Sequence, residues 1–465
     1  MDKKSQKEIT LKRELSLFTS TLLVAGLVVG SGIFMKIVPI AKTGLGEMAI
    51  LLAWTAAGVI SLLGALTVGG LANLTEESGG TYEYFRIAFG KFFAFVSGWS
   101  DFMIVGTGVN AAIAFLFAQT VNSIIPLPNP LEAWEHISIA NYIYPFANSG
   151  IKILGILTII LLTAVNCLGA RESGLINNII TTAKILGILM LIVLGLAYSK
   201  PETETEAIIN VSSPESWSFM SGFLTAMLAA LWAYDGWIYP ANISGEIINP
   251  RRNLPLALIF GILLTIVLYI AVNYVYMYVL SLEEIRNIGE NEIGALPVAE
   301  VIFGSYGKLV LQILILVCSF GALNGNIISL PRKYYRMAQE GYFFRNAAKV
   351  HPRFRTPVIA LIYSMVWSCI LLLSGSFDML SDMVVFTAFM FYGLLAVALI
   401  KLKRTRAIKK KVAGYPVVPV LFLLFSIALT VHTIWTEPAK SAFGLLLILS
   451  SVPFYFFFKQ SGKAL

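Results

Sequence analysis

The sequence predicts an all-α membrane protein of twelve transmembrane helices, arranged as two inverted repeats of five spans with the first helix of each repeat broken. Three observations carry that prediction. Of the 465 residues, 57% are hydrophobic and only 13% charged, and the mean hydropathy is +0.78, which does not fit a water-exposed globular surface. Apolar runs of the roughly 20 residues needed to cross a bilayer recur along the whole chain. The first and the sixth of these runs carry the same kind of interruption, glycine and a polar residue in otherwise apolar sequence.

In chain order the runs fall near residues 16–36, 46–73, 92–124, 151–169, 175–198, 218–246, 254–280, 308–330, 356–374, 380–402, 414–436 and 438–458. Their interiors are continuous Leu, Ile, Val, Phe and Ala without the dyad alternation of a membrane barrel, so helices are expected. A charged N-terminus ahead of an apolar run resembles a signal peptide, but no A-x-A-like site follows and eleven more runs do, so residues 16–36 read as the first span.

The formal net charge of +8 does not point to nucleic acid, because the basic residues sit where topology needs them. Lys and Arg gather in the N-terminal tail (Lys3, Lys4, Lys7, Lys12, Arg13), between runs eight and nine, and between runs ten and eleven, notably in "KLKRTRAIKKK", residues 401–411. The alternate connections are acidic, with Glu202, Glu204, Glu206, Glu215, Glu283, Glu284, Glu290 and Glu292. By the positive-inside rule the basic side is cytoplasmic, and an even number of spans puts both termini there, in the plasma (inner) membrane. The 401–411 run is an orientation signal first and a contact for anionic lipid second.

Cofactor chemistry has little support. Cys167, Cys318 and Cys369 lie in or at the ends of apolar runs without a C-x-x-C, and His136, His351 and His432 are scattered, so neither a metal nor another cofactor is expected. "GTGVNA", residues 106–111, fits a dinucleotide-type G-x-G-x-x-A by letter, but no strand precedes it, and inside an apolar run it reads as helix packing. There is no H-E-x-x-H and no Ser/His pair for an intramembrane enzyme, and no filter segment or charged ring for a channel. The chain is not expected to be an enzyme.

The two interruptions point to transport. "VGSGI" breaks run one and "LWAYDGWIYP" breaks run six, corresponding positions in the two sets of five. Paired discontinuous helices mark a binding site near the bilayer midplane, because unwound backbone in hydrocarbon is tolerated only where it lines a cavity. At the first break the N–H groups of Ser31, Gly32 and Ile33 open a half-helix whose positive end suits a carboxylate. At the sixth, the carbonyls of Trp232, Ala233 and Tyr234 close a half-helix whose negative end suits an ammonium. An amino-acid zwitterion presents both groups. The competing reading of Gly26-x-x-x-Gly30 is small-residue packing between helices.

"VVGSGIF", "WAYDGWIYPANISGEIINPRRNLPLA", "TTAKILGI" and "GALNGNIISLPRKYYRMAQEGYFF" together resemble the L-type amino acid transporters of the amino acid, polyamine and organocation superfamily, in a prokaryotic member. The resemblance implies a LeuT-like fold: a cytoplasmic tail over residues 1–15, a transport core over 16–402 built from spans 1–5 and 6–10, and peripheral spans 11 and 12 with the C-terminus over 403–465. It implies sodium-independent exchange of small or medium neutral L-amino acids by alternating access. It assigns the substrate carboxylate to Gly30, Ser31, Gly32 and Ile33, and the amino group to the carbonyls of Ala233, Tyr234 and Asp235. Trp232 falls on a gating aromatic and Asn324 on the family's asparagine in span eight. Animal members join a glycoprotein through a Cys between spans 3 and 4; residues 125–150 contain none, so no disulfide-linked heavy chain is expected. That loop is longer than a bacterial member requires.

Ionisable residues inside a membrane cost at least about 2.5–3.5 kcal/mol on insertion scales and are functional by default. Lys184, well inside run five, is read with the resemblance as a fixed ammonium in place of a sodium ion between spans 1 and 8, coupling occupancy to gating; the alternative is an ammonium held by backbone carbonyls without a role in turnover. Asp235 either caps the broken helix or attracts cationic side chains, and its place beside Gly236 favours the cap. Tyr239, Tyr269 and Trp367 are assigned no role. Within transport, the rival readings are a proton-coupled importer and an amino acid/polyamine antiporter on the same fold.

Overall fold

The computed structural model describes residues 15–30, 32–72, 74, 80–139, 143–168, 174–199, 216–238, 247–289, 292–354 and 356–461. Among them every regular element is helical. The elements are α1 (Leu17–Val28), α2 (Gly32–Met35), α3 (Ile37–Ala41), α4 (Glu47–Leu71), α5 (Gly80–Phe89), α6 (Lys91–Ser100), a π-helical turn Asp101–Val105, α7 (Gly106–Ile124), α8 (Ser149–Cys167), α9 (Gly174–Leu196), α10 (Ser216–Tyr234), α11 (Pro250–Val279), α12 (Leu282–Arg286), α13 (Ala295–Ser329), α14 (Pro331–Gln339), α15 (Val358–Ser374), α16 (Phe377–Arg404), α17 (Val417–Thr436), α18 (Pro438–Leu449) and α19 (Ser451–Ser461).

Among the described residues nine helical segments are long and apolar enough to cross a membrane, and shorter apolar helices at Thr182–Leu196, Ser218–Tyr234 and Val358–Ser374 fall where the other expected runs lie. The run expected from 308 starts earlier, because α13 joins two helical pieces across a non-helical Gly304. Local chemistry sets several ends. Ser16 and Ser376 accept from the backbone N–H groups of Thr19 and Met379 and start α1 and α16, while Lys401, Lys403 and Arg404 complement the negative end of α16.

Helices in lipid gain little from hydrophobic association and pack through small residues and polar contacts. Two groups result. α1, α4, α10 and α11 pack together, and α7, α8, α13 and α15 form the second group. α9 touches α11 and α13, whereas α16 lies against α4, α7 and α10 and so contacts both groups. The residues of "GTGVNA" sit in this packing: a Cβ on Gly108 would lie 2.8 Å from Val384 of α16.

The described residues of the long loop, 125–139 and 143–148, form a hydrogen-bonded cap. Asn129 donates to Glu135 at 2.6 Å and accepts from the Ser149 N–H at 3.0 Å, while Glu135 also accepts from the Asn148 N–H at 3.2 Å. Lys152 of α8 ties the cap down by donating to the carbonyls of Tyr144 (2.6 Å) and of Leu373 (3.2 Å), at the end of α15. Asn129 and Asn148 hold the Glu135 carboxyl below the usual carboxylate range.

Candidate functional site

Both interruptions are real breaks, and they cross. α1 ends at Val28 and helix resumes at Gly32; α10 ends at Tyr234 in a turn over 235–238. A Cβ on Gly32 would lie 2.5 Å from the Cα of Ala233, so only glycine lets these two backbones meet. On the other strand of the crossing, Gly236 has φ +113°, and its Cβ would lie 2.6 Å from the Leu27 carbonyl oxygen. The glycines therefore serve close approach as much as they free backbone donors.

Ending a helix strands its last carbonyls, and in an apolar interior they need a donor. Tyr269 of α11 supplies it to both breaks: its hydroxyl, fully buried, lies 3.0 Å from the Val28 carbonyl oxygen and 2.9 Å from that of Ala233. One O–H shared between the two half-helices joins them. Behind it Tyr234 packs between Trp54 and Tyr269, with ring centroids 6.0 and 5.0 Å away. No role was expected for Tyr269, since nothing local in the sequence places it beside residues 28 and 233.

Gly30, Gly32, Ile33, Trp232, Ala233, Tyr234 and Asp235 thus gather at one crossing, while Ser31 and Tyr239 lie outside the described residues. Trp232 is buried, its ring edge-on to Phe377 at the start of α16 with centroids 5.7 Å apart. Asp235 accepts from the Tyr392 hydroxyl, farther along α16, at 2.9 Å. Asn324 is joined instead to α8, accepting from Asn166 at 2.7 Å. Lys184 is buried on α9 beside the Cys318 thiol of α13; among the described residues no carbonyl accepts from its ammonium.

Three charges within the apolar runs, Asp101, Lys36 and Asp382, escaped the sequence reading although the insertion-cost argument applied to them. Asp101, in the π-helical turn, pairs with Lys333 at 2.8 Å and accepts from the Tyr334 hydroxyl at 3.2 Å. It lines, with Tyr392 and Lys333, a cavity of about 40 Å³ at the basic-loop end. Lys36, at the end of the first run, is fully buried and pairs with Asp378 at 2.7 Å and Asp382 at 3.3 Å. Asp378 lines a second cavity, of about 500 Å³ at the acidic-loop end, together with Tyr144, Lys152, Glu292 and Lys440. Among the described residues there is no group of three or more metal-type ligands, and the three cysteines are free.

The amino acid permease family model matches residues 15–458. The serine/threonine exchanger SteT of Bacillus subtilis is similar at 31% identity, covering 97% of this chain and 98% of the exchanger. The human b(0,+)-type amino acid transporter 1 is 28% identical (97% of this chain, 89% of the relative), and the mouse large neutral amino acids transporter small subunit 2 is 26% identical (96% and 81%).

Proposed function

This chain belongs to the amino acid permease family, and we propose that it exchanges small or medium neutral L-amino acids across the plasma membrane by alternating access, without sodium. The observation that carries the reading is the crossing of the two broken helices at Gly32 and Ala233, with one hydroxyl shared between their carbonyls. It supports a site where the N–H groups that open α2 and the carbonyl end of α10 face the opposite charges of one small zwitterion. The similarity to a serine/threonine exchanger supports small hydroxylated or aliphatic side chains, and serine and threonine head the proposed substrates.

The finer architecture is part of the proposal: twelve spans, a 5+5 inverted repeat, a core over 16–402, peripheral spans 11 and 12, and both termini on the cytoplasmic side. Its support is that α1 and α4 pack with α10 and α11, the first two spans of each repeat, while α7 and α8 pack with α13 and α15, the third and fourth. The charge asymmetry of the loops supports the orientation. A transporter working without a disulfide-linked partner fits the lack of cysteine over 125–150.

Proteoliposomes, empty or preloaded, challenged with radiolabelled amino acids test this directly. Uptake of serine or threonine stimulated by internal amino acid and indifferent to sodium is expected. Dependence on a sodium gradient overturns the sodium independence, and equal uptake into empty liposomes overturns exchange.

A further inference from the structure

Lys36 is fully buried behind the wall of the larger cavity, which its partner Asp378 lines, and its surroundings are built for it. An ammonium has three hydrogens. They go to Asp378 Oδ1 at 2.7 Å, Ser381 Oγ at 2.7 Å and Asp382 Oδ1 at 3.3 Å, all within the first turns of α16. The same ammonium lies 5.3 Å from the centroid of the Phe377 ring, the ring that meets Trp232. Broken span one is therefore fastened to α16 at the point where α16 presses an aromatic onto broken span six. Lys36 has no exposed surface, while the Asp378 side chain is 36% exposed and borders the cavity. Separation of α3 from α16 has to move a buried ammonium into the cavity water, and partial separation is disfavoured because an unpaired buried charge is costly.

A second cation works on the same carboxylates. Lys440, in the first turn of α18, reaches Asp382 Oδ2 at 3.7 Å and Glu437 at 3.4 Å. Its ammonium shares the Asp382 carboxylate with Lys36, one on each oxygen. The last span thereby contacts the fastening through α18.

Resting on the transport reading, we propose that Lys36 is a positioning residue that holds the Trp232–Phe377 pair closed beneath the larger cavity, and that Lys440 loosens this latch through Asp382. The two arms carry opposite signs, which an ion pair of purely structural value does not.

The test is backbone hydrogen exchange of the full chain in nanodiscs without substrate, followed over residues 32–41 and 377–384, so that it reads the latch whatever the transported species. Asp382→Asn is expected to speed exchange there by at least threefold, Lys440→Gln to slow it by about twofold, and Lys36→Arg to stay within twofold of the parent. Should Asp382→Asn fail to fold, Ser381→Ala removes one of the three acceptors and is expected to speed exchange by about twofold. Unchanged exchange on loss of an acceptor overturns the latch. Acceleration in both Asp382→Asn and Lys440→Gln reduces the pair to a structural tie, and an unchanged Lys440→Gln overturns the tuning. Failure of amino-acid exchange in liposomes with the latch result intact rejects the transported species alone.

Discussion

The Tyr269 hydroxyl lies 2.9 Å from the Ala233 carbonyl oxygen and shares its hydrogen with the Val28 carbonyl at 3.0 Å, so a single phenol in α11 joins the loose ends of two broken helices. Tyr269→Phe keeps the ring packing against Trp54 and Tyr234 and leaves both buried carbonyls without this donor. The expected loss is about 1–3 kcal/mol of stability, with exchange reduced at least tenfold. Thermal unfolding and uptake by the same preparation measure both; unaltered unfolding with full uptake shows that the bridge is dispensable.

Gly32 faces the Cα of Ala233 too closely for any side chain, whereas Gly325 of α13 has open space around an added methyl group. Gly32→Ala is expected to abolish exchange, and Gly325→Ala to preserve it with stability equal or higher by about 0.5–1 kcal/mol, since alanine favours helix. Equal transport by the two variants contradicts the crossing.

Asp235 is tied to α16 by the Tyr392 hydroxyl, which donates to it at 2.9 Å. Asp235→Asn retains an acceptor oxygen, so the ratio of basic to neutral amino-acid uptake is expected to stay constant while total uptake falls less than in Asp235→Ala. Competition by lysine, arginine and serine against labelled serine measures the ratio. A selective loss of the basic substrates assigns the carboxylate to their side chains instead.

Lys184 lies buried on α9 against α13, beside the Cys318 thiol, and the proposed gating role sets it apart from the groups that hold the ligand. Lys184→Ala is expected to lower the maximal exchange rate at least tenfold while changing the half-saturating concentration by less than threefold. Parent-like turnover removes Lys184 from the coupling.

Glu135 has a folded-state pKa below its ordinary value because Asn129 and the Asn148 N–H bond the ionised form. A depressed carboxylate stabilises above its unfolded pKa, and the contribution is lost as pH falls through the folded one. Proteolysis of the 125–148 cap is therefore expected to be slow near neutral pH and to accelerate below about pH 4, with Glu135→Gln cleaved faster at neutral pH and less sensitive to acid. A cleavage rate identical in parent and variant across that range contradicts the role of Glu135.

The sequence by itself determined the helical membrane character, the spacing of the apolar runs, the interruptions within "VGSGI" and "LWAYDGWIYP", and the loop charges, because each depends on residues within one turn or one span of each other. Composition and hydropathy act locally, and Gly, Asp and Pro clustered together weaken an apolar helix where they stand. Only the tertiary structure decided the partners: Lys36 with Asp378, 342 positions away, Asp101 with Lys333, and Tyr269 with residues 28 and 233. Asp101 and Asp382 were visible as charges in apolar runs, but not as halves of pairs. The physical reason is that a buried charge or a stranded carbonyl specifies only that it must be satisfied; which distant group satisfies it depends on how the helices pack.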